Sequence, residues 1–94
     1  MSASYRLVVR DVFRFGDDST VLVGDIDTKL TWLTPASAEV QVDGTTIAQV
    51  HLSEERMPGP NAEGQRAVVT RQAIDIDAVR AGACVLICQC QMVV

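Results

Sequence analysis

Two runs of β-forming residues on either side of a short polar break constrain this chain more than any other feature. They occupy Leu7–Ile26, LVVRDVFRFGDDSTVLVGDI, and the break is Gly16-Asp17-Asp18-Ser19. The pattern predicts a β-hairpin. A turn centred on Asp17-Asp18 sets Phe15 against Thr20, Phe13 against Leu22, Asp11 against Gly24, Val9 against Ile26 and Leu7 against Thr28. Side chains alternate across a strand, so these pairs share one face, aromatic and aliphatic except for Asp11. The other face sets Arg14 against Val21, Val12 against Val23, Arg10 against Asp25 and Val8 against Asp27. The phenylalanines are expected inside and the arginines outside. A slip of one residue would move Phe13 and Phe15 into water, so the register should be well specified. On this reading, Val12 and Arg14 facing inward would undo the hairpin and the barrel built on it.

The remaining chain continues the β pattern. Tyr5–Phe15 and Ser19–Leu30 are the long strands of the hairpin. Trp32, Leu33 and the Thr34-Pro35 step mark a bend, because proline cannot donate to a ladder and the residue before it avoids helical backbone. Ala38–Val42 and Thr45–Leu52 are strands joined by Asp43-Gly44, the strongest short-range hairpin signal in the chain. Ser53–Gly64 is the one long irregular stretch. Ser53-Glu54-Glu55-Arg56 reads as a single helical turn, which Pro58-Gly59-Pro60 stops. Gln65–Arg71 is a fifth strand. Ile74–Gly82 reads as a helical turn near 75–81, with an Asp cap, Arg80 near its end and Gly82 as a left-handed stop. Ala83–Val94 is the last strand. Six short strands, tight turns and no long helix predict one all-β domain over residues 1–94, a six-stranded closed, antiparallel-rich β-barrel.

Composition narrows the function classes. Ninety-four residues support one modest core. Almost half are apolar but only four are aromatic, so the core must be mostly Val, Ile, Leu and Ala. The net charge of −4 disfavours sequence-independent nucleic-acid binding, which needs Lys and Arg against phosphates. Lys29 is the only lysine, and the seven arginines are scattered. No apolar run reaches the roughly 20 residues of a membrane helix. The N-terminus carries no export pattern, and three cysteines crowded at one end make a poor disulfide framework. These features predict a cytoplasmic protein with reduced thiols and no membrane partner.

The hairpin residues also resemble a known module, the second, β-barrel domain of translational GTPases such as elongation factor Tu. That family carries, roughly, D-V-F-x-I-x-G-x-G-T-V-V-x-G-R-[IV]. This chain reads Asp11-Val12-Phe13-Arg14-Phe15-Gly16-Asp17-Asp18-Ser19-Thr20-Val21-Leu22-Val23-Gly24-Asp25-Ile26. A later family pattern, A-G-D-N-V-G-x-x-x-R-G-I followed by R-G-x-V-L, is similar to Gly64–Ile74 and then Ala81-Gly82-Ala83-Cys84-Val85. The resemblance covers nearly the whole chain and implies a translation-factor-like barrel. The binding positions depart further than the fold-forming ones. The Gly-x-Gly turn has become Asp17-Asp18-Ser19, and the Arg after the second Gly is Asp25. The Asp-Asn after Gly64 is Gln65-Arg66, and the Arg-Gly before Ile74 is Gln72-Ala73. Pro60 stands where the family has an acidic residue that helps hold the aminoacyl end of tRNA. No phosphate-binding Gly-Lys-Ser/Thr loop is present, so the GTPase half of those factors has no counterpart here.

No catalytic constellation can be assembled around His51, the only histidine. The acidic residues Asp17, Asp18, Asp25, Asp27, Asp75 and Asp77 lack calcium-loop spacing. Cys84, Cys88 and Cys90 share strand parity with Leu86. Buried packing is the expected role; a zinc site with His51 is the alternative, against an unusual Cys-x-x-x-Cys-x-Cys spacing. Arg6, Arg10 and Arg14 line one strand face, read either as an anion-binding stripe or, preferably, as partners of Asp25 and Asp27. The sequence therefore implies no catalytic residue, metal or cofactor. It points to a non-catalytic interaction module docking a protein or the translation apparatus. The expected contact is a loop holding Glu54, Glu55, Arg56, Met57, Pro58, Pro60 and Asn61, whose alternative role is a solvated connector. An RNA- or tRNA-end-binding domain is the second hypothesis, and a cysteine-based metal or redox protein the third. The apolar end, Met92-Val93-Val94, is a candidate strand for homodimer formation.

Overall fold

The computed structural model describes residues 4–14, 19–27, 33–56 and 65–90. In chain order these form β1 (Ser4–Arg14), β2 (Thr20–Ile26), β3 (Ala36–Val42), β4 (Thr45–Arg56), β5 (Arg66–Thr70), α1 (Ile76–Ala81) and β6 (Cys84–Cys90). The strands close into a ring in the order β1-β2-β5-β4-β3-β6, with every pairing antiparallel. Three consecutive strands, β3-β4-β5, lie side by side and β6 returns beside β3, which is a Greek key. The expected six-stranded barrel with one short helix is what the chain forms.

The Asp43-Gly44 turn behaves as its sequence dictates. Both residues adopt positive φ, 52° and 84°, the turn geometry whose twist matches paired strands. Val42 then meets Thr45 directly. The β1–β2 hairpin differs from its expected register. Arg14 faces Thr20, Phe13 faces Val21 and Val12 faces Leu22; beyond a bulge at Arg10, Val9 faces Gly24 and Leu7 faces Ile26. Pairing is thus one residue off at the turn end and two off at the other. Val12 is 1 % exposed and Phe13 39 % exposed, the reverse of the expectation. Leu7 is buried as expected, and Arg14 is exposed. The bulge reconciles these: one extra residue switches the inward parity, so odd positions Tyr5 and Leu7 and even position Val12 all enter the core. The barrel therefore closes with Val12 inside. The core is built from Leu, Val, Ala, Cys, Ile74 and Tyr5, with no phenylalanine among the described residues, and the cross-section of six strands suits side chains of that size. Arg10 still reaches Asp25, at 2.8 Å, because the bulge moves it diagonally opposite.

Two further expectations change. Ser53–Arg56 is not a helical turn but the end of β4, where Glu54, Glu55 and Arg56 face Val69, Val68 and Ala67. The main chain of β5 needs a neighbour on this side, and an extended β4 supplies it. Gly82 is not left-handed; its backbone is extended, at φ −137° and ψ −175°. It is favoured for space, since a Cβ there would lie 2.6 Å from Asp43 Oδ2 and 2.7 Å from Val42 Cγ1, and those side chains would have to move.

α1 seals one end of the barrel. Asp75 caps it, accepting from the Ala78 N–H at 3.1 Å, and Val79 and Ile74 join the core beside Val12. Arg80 donates to the Val12 carbonyl (2.9 Å) and Arg14 to the Ile74 carbonyl (3.0 Å), so the helix is tied to β1 from both sides. At the other end the Tyr5 hydroxyl donates to the Leu33 carbonyl at 2.9 Å, with the Cys90 thiol 3.6 Å from the same oxygen. Outside the barrel a second apolar cluster, Val21, Val23, Ala67 and Val69, is also buried.

Candidate functional site

Ring closure brings together outward-facing residues that are far apart in sequence. Along β4, β3, β6 and β1, His51, Ser37, Gln89 and Ser4 fall into one row across the sheet. Gln49, Glu39, Ile87 and Arg6 form the next. Strand alternation puts these side chains on the solvent face while Ala38, Val50, Leu86 and Cys88 fill the interior. The rows bound an open groove of about 700 Å³, closed on one flank by Gln72. The Gln72 side-chain carbonyl accepts the His51 backbone N–H at 2.6 Å. Gln49 lies 3.5 Å from the Glu39 carboxylate as a donor. Amides, hydroxyls and one imidazole around Ile87 offer hydrogen bonds in both senses and little charge. Such a surface can exchange hydrogen bonds with polar main-chain or side-chain groups.

The barrel mouth near Tyr5 carries the best-formed ion pair among the described residues. Arg66 holds Glu55 through two nitrogens, at 2.7–2.9 Å, with both side chains about a quarter exposed. Fork geometry and partial burial make this pair stronger than the exposed Arg10–Asp25 and Arg56–Glu54 pairs, the last at 3.8 Å. The expected partner-binding residues are thereby divided. Glu54, Glu55 and Arg56 are strand residues with ionic partners of their own. Met57, Pro58, Pro60 and Asn61 lie outside the described residues, as do Met92, Val93 and Val94 of the expected dimer strand.

All three cysteines point inward, as their shared parity with Leu86 predicts. Burial pushes the Cys84 thiol up to about 11 and the Cys88 thiol up to about 12, and raises Cys90 too. Burial also holds Tyr5 well above the usual phenol range, with Cys88 next to it adding to the effect. These thiols are protonated and sequestered near neutral pH, the opposite of a reactive cysteine. His51 sits on the outer face, so the barrel wall separates it from the thiols with which a zinc site was considered. Among the described residues no three His, Cys, Asp or Glu side chains gather as metal ligands.

The expected arginine stripe on β1 is broken up. Arg10 pairs with Asp25, Arg14 turns to the Ile74 carbonyl, and the Arg6 backbone N–H is bonded to Asp27. With Arg66, Arg56 and Arg80 also engaged, five of the seven arginines have protein partners for their side chains. Sequence reasoning missed the groove because its rows exist only once β6 lies between β1 and β3. The signal within reach was local: Ser37, Glu39, Gln49, His51 and Gln89 are polar at alternate positions.

The comparisons give no relative. Family models, curated proteins and solved structures were searched, and none matches this chain.

Proposed function

We propose that this barrel is a non-catalytic interaction module that docks a protein partner through the groove on β3, β4 and β6. The observation that carries this reading is the groove itself: an open surface of hydrogen-bonding side chains with a single carboxylate, Glu39, over a packed apolar interior. Polar rims with an aliphatic centre are the composition of transient protein interfaces. The resemblance to the second domain of translation factors implies the translation apparatus as a partner class. That likeness contributes the module type, while the observed β1–β2 register departs from the pairing it was read on. RNA as the ligand is disfavoured by the net charge of −4 and by the engagement of most arginines within the protein.

The test places a photo-crosslinking amino acid at Ser37, inside the groove, or at Val8, outside it, in the full chain in living cells. Adducts to one protein from the Ser37 position and none from Val8 support the reading. Adducts from Val8 alone, or from neither, overturn it. A titration with labelled tRNA at low salt is expected to show no salt-sensitive binding at micromolar concentration; tight, salt-sensitive binding would install RNA as the ligand instead.

A further inference from the structure

The strands of the ring are not paired equally along their lengths. β4 meets β3 from Thr45 to Leu52, but meets β5 only from Leu52 to Arg56. Among the described residues no strand lies against Thr45–His51 on that second side. Elsewhere the barrel covers such gaps. β6 has a strand on each side over Val85–Gln89, and the stretch of β1 beyond Val9 is covered by α1 through Arg80.

At the open edge one side chain does what a strand would do. The His51 N–H points away from β3, and the Gln72 carboxamide oxygen accepts it at 2.6 Å. Main-chain groups alternate from side to side along a strand, so the Gln49 N–H and carbonyl face the same open edge. Thr45–His51 contains no charged residue and no proline, two common devices that block strand addition; its one irregularity is a bulge at Ile47, where the pairing with β3 shifts by a residue. Ile47 there is 41 % exposed, among the most exposed large apolar side chains described.

We infer that this edge pairs antiparallel with the same edge of a second copy of the chain, with Gln49 meeting its counterpart near the two-fold axis. A two-fold contact sets each segment against itself. The segment itself carries no charge, so it meets itself without repulsion between the paired strands. The carbonyl of the second copy replaces Gln72 on His51, and Ile47 of each copy is covered by the other. The contact lies in the plane of the sheet, at its edge, and shares Gln49, His51 and Gln72 with the groove on its outer face. A single strand pair buries less than a standard interface, so the dimer is weak and concentration-dependent.

Sedimentation equilibrium on the full chain under reducing conditions, from low micromolar to near-millimolar concentration, is expected to show a monomer–dimer equilibrium. Gln49→Pro deletes an edge N–H that β3 does not use, and is expected to give a folded monomer. Ile47→Lys, which leaves the main chain untouched, is expected to weaken the dimer about ten-fold or more. Gln72→Ala removes the competitor for His51 and is expected to tighten it about five-fold. A wild-type chain that stays monomeric throughout overturns the inference. So does a dimer indifferent to Ile47→Lys, or one that Gln72→Ala leaves unchanged.

Discussion

Two walls of the same barrel are built on opposite terms. The β2–β5 wall is buried on both faces: Leu22 and Val68 line the interior, and Val21, Val23, Ala67 and Val69 are buried outside it. The β3–β4–β6 wall is buried on one face only, and its outer surface is a polar groove. A wall covered on both faces has no surface left for a partner. The difference separates a wall packed on both faces from one whose outer face carries the proposed docking groove.

The largest test of that contrast is a charge on each outer face. Val69→Asp places a carboxylate at a site with 0 % exposure and is expected to cost more than about 4 kcal/mol, enough to prevent stable folding. Ser37→Asp, in the groove, is expected to change stability by less than about 0.5 kcal/mol. Urea denaturation of both variants reads the difference, and equal effects would erase the distinction between the walls. The inner faces, by contrast, should be equivalent. Leu22→Ala and Leu86→Ala are each expected to cost about 2–5 kcal/mol, because both side chains are fully buried and leave cavities.

The register of β1 gives the next test. Val12→Ala is expected to cost about 2 kcal/mol and Phe13→Ser less than about 1 kcal/mol, following their observed exposures. The reverse order would restore the pairing first expected. Alkaline pH then probes the thiols of β6 together with the Tyr5 hydroxyl of β1. Cys84 and Cys88 hold their protons more tightly in the folded chain than in the unfolded one. Their contribution is fully present below the ordinary thiol range. It falls once the unfolded thiols begin to ionise, and goes on falling until the folded thiols titrate at about 11 and 12. Each is expected to remove on the order of 1 kcal/mol by about pH 10. Denaturant midpoints across that range should decline less steeply in a Cys88→Ala variant. The smallest effect is expected at the Thr20 hydroxyl, buried without a hydrogen-bond partner among the described residues. Thr20→Val should be neutral or stabilise by up to about 1 kcal/mol, since it removes an uncompensated polar group at constant shape.

Much of the fold was legible in local chemistry. Asp43-Gly44 specifies its own turn because the main chain there must take positive φ. Asp75 announces a helix start through its side-chain oxygen. Cys84, Leu86, Cys88 and Cys90 enter the core together because a strand alternates. The Arg10–Asp25 attraction was legible too, although the pairing first drawn for it was not the one that forms. The candidate site was much less legible. Ser53–Arg56 reads as a polar, helix-tolerant segment, and only the demand of β5 for a neighbour makes it a strand.

The amino-acid order alone settled that this chain is a small, mostly β domain, where most of its strands fall, and that its three cysteines share one face of the last strand. Those properties follow from alternation, turn residues and composition, which act over a few residues at a time. Ring closure decided the rest. It placed a bulge at Arg10, turned Val12 in and Phe13 out, aligned the groove rows across four strands and, among the described residues, left one edge of β4 without a strand beside it. Each of these balances packing volume and main-chain pairing between segments tens of residues apart, so no single stretch of sequence contains it.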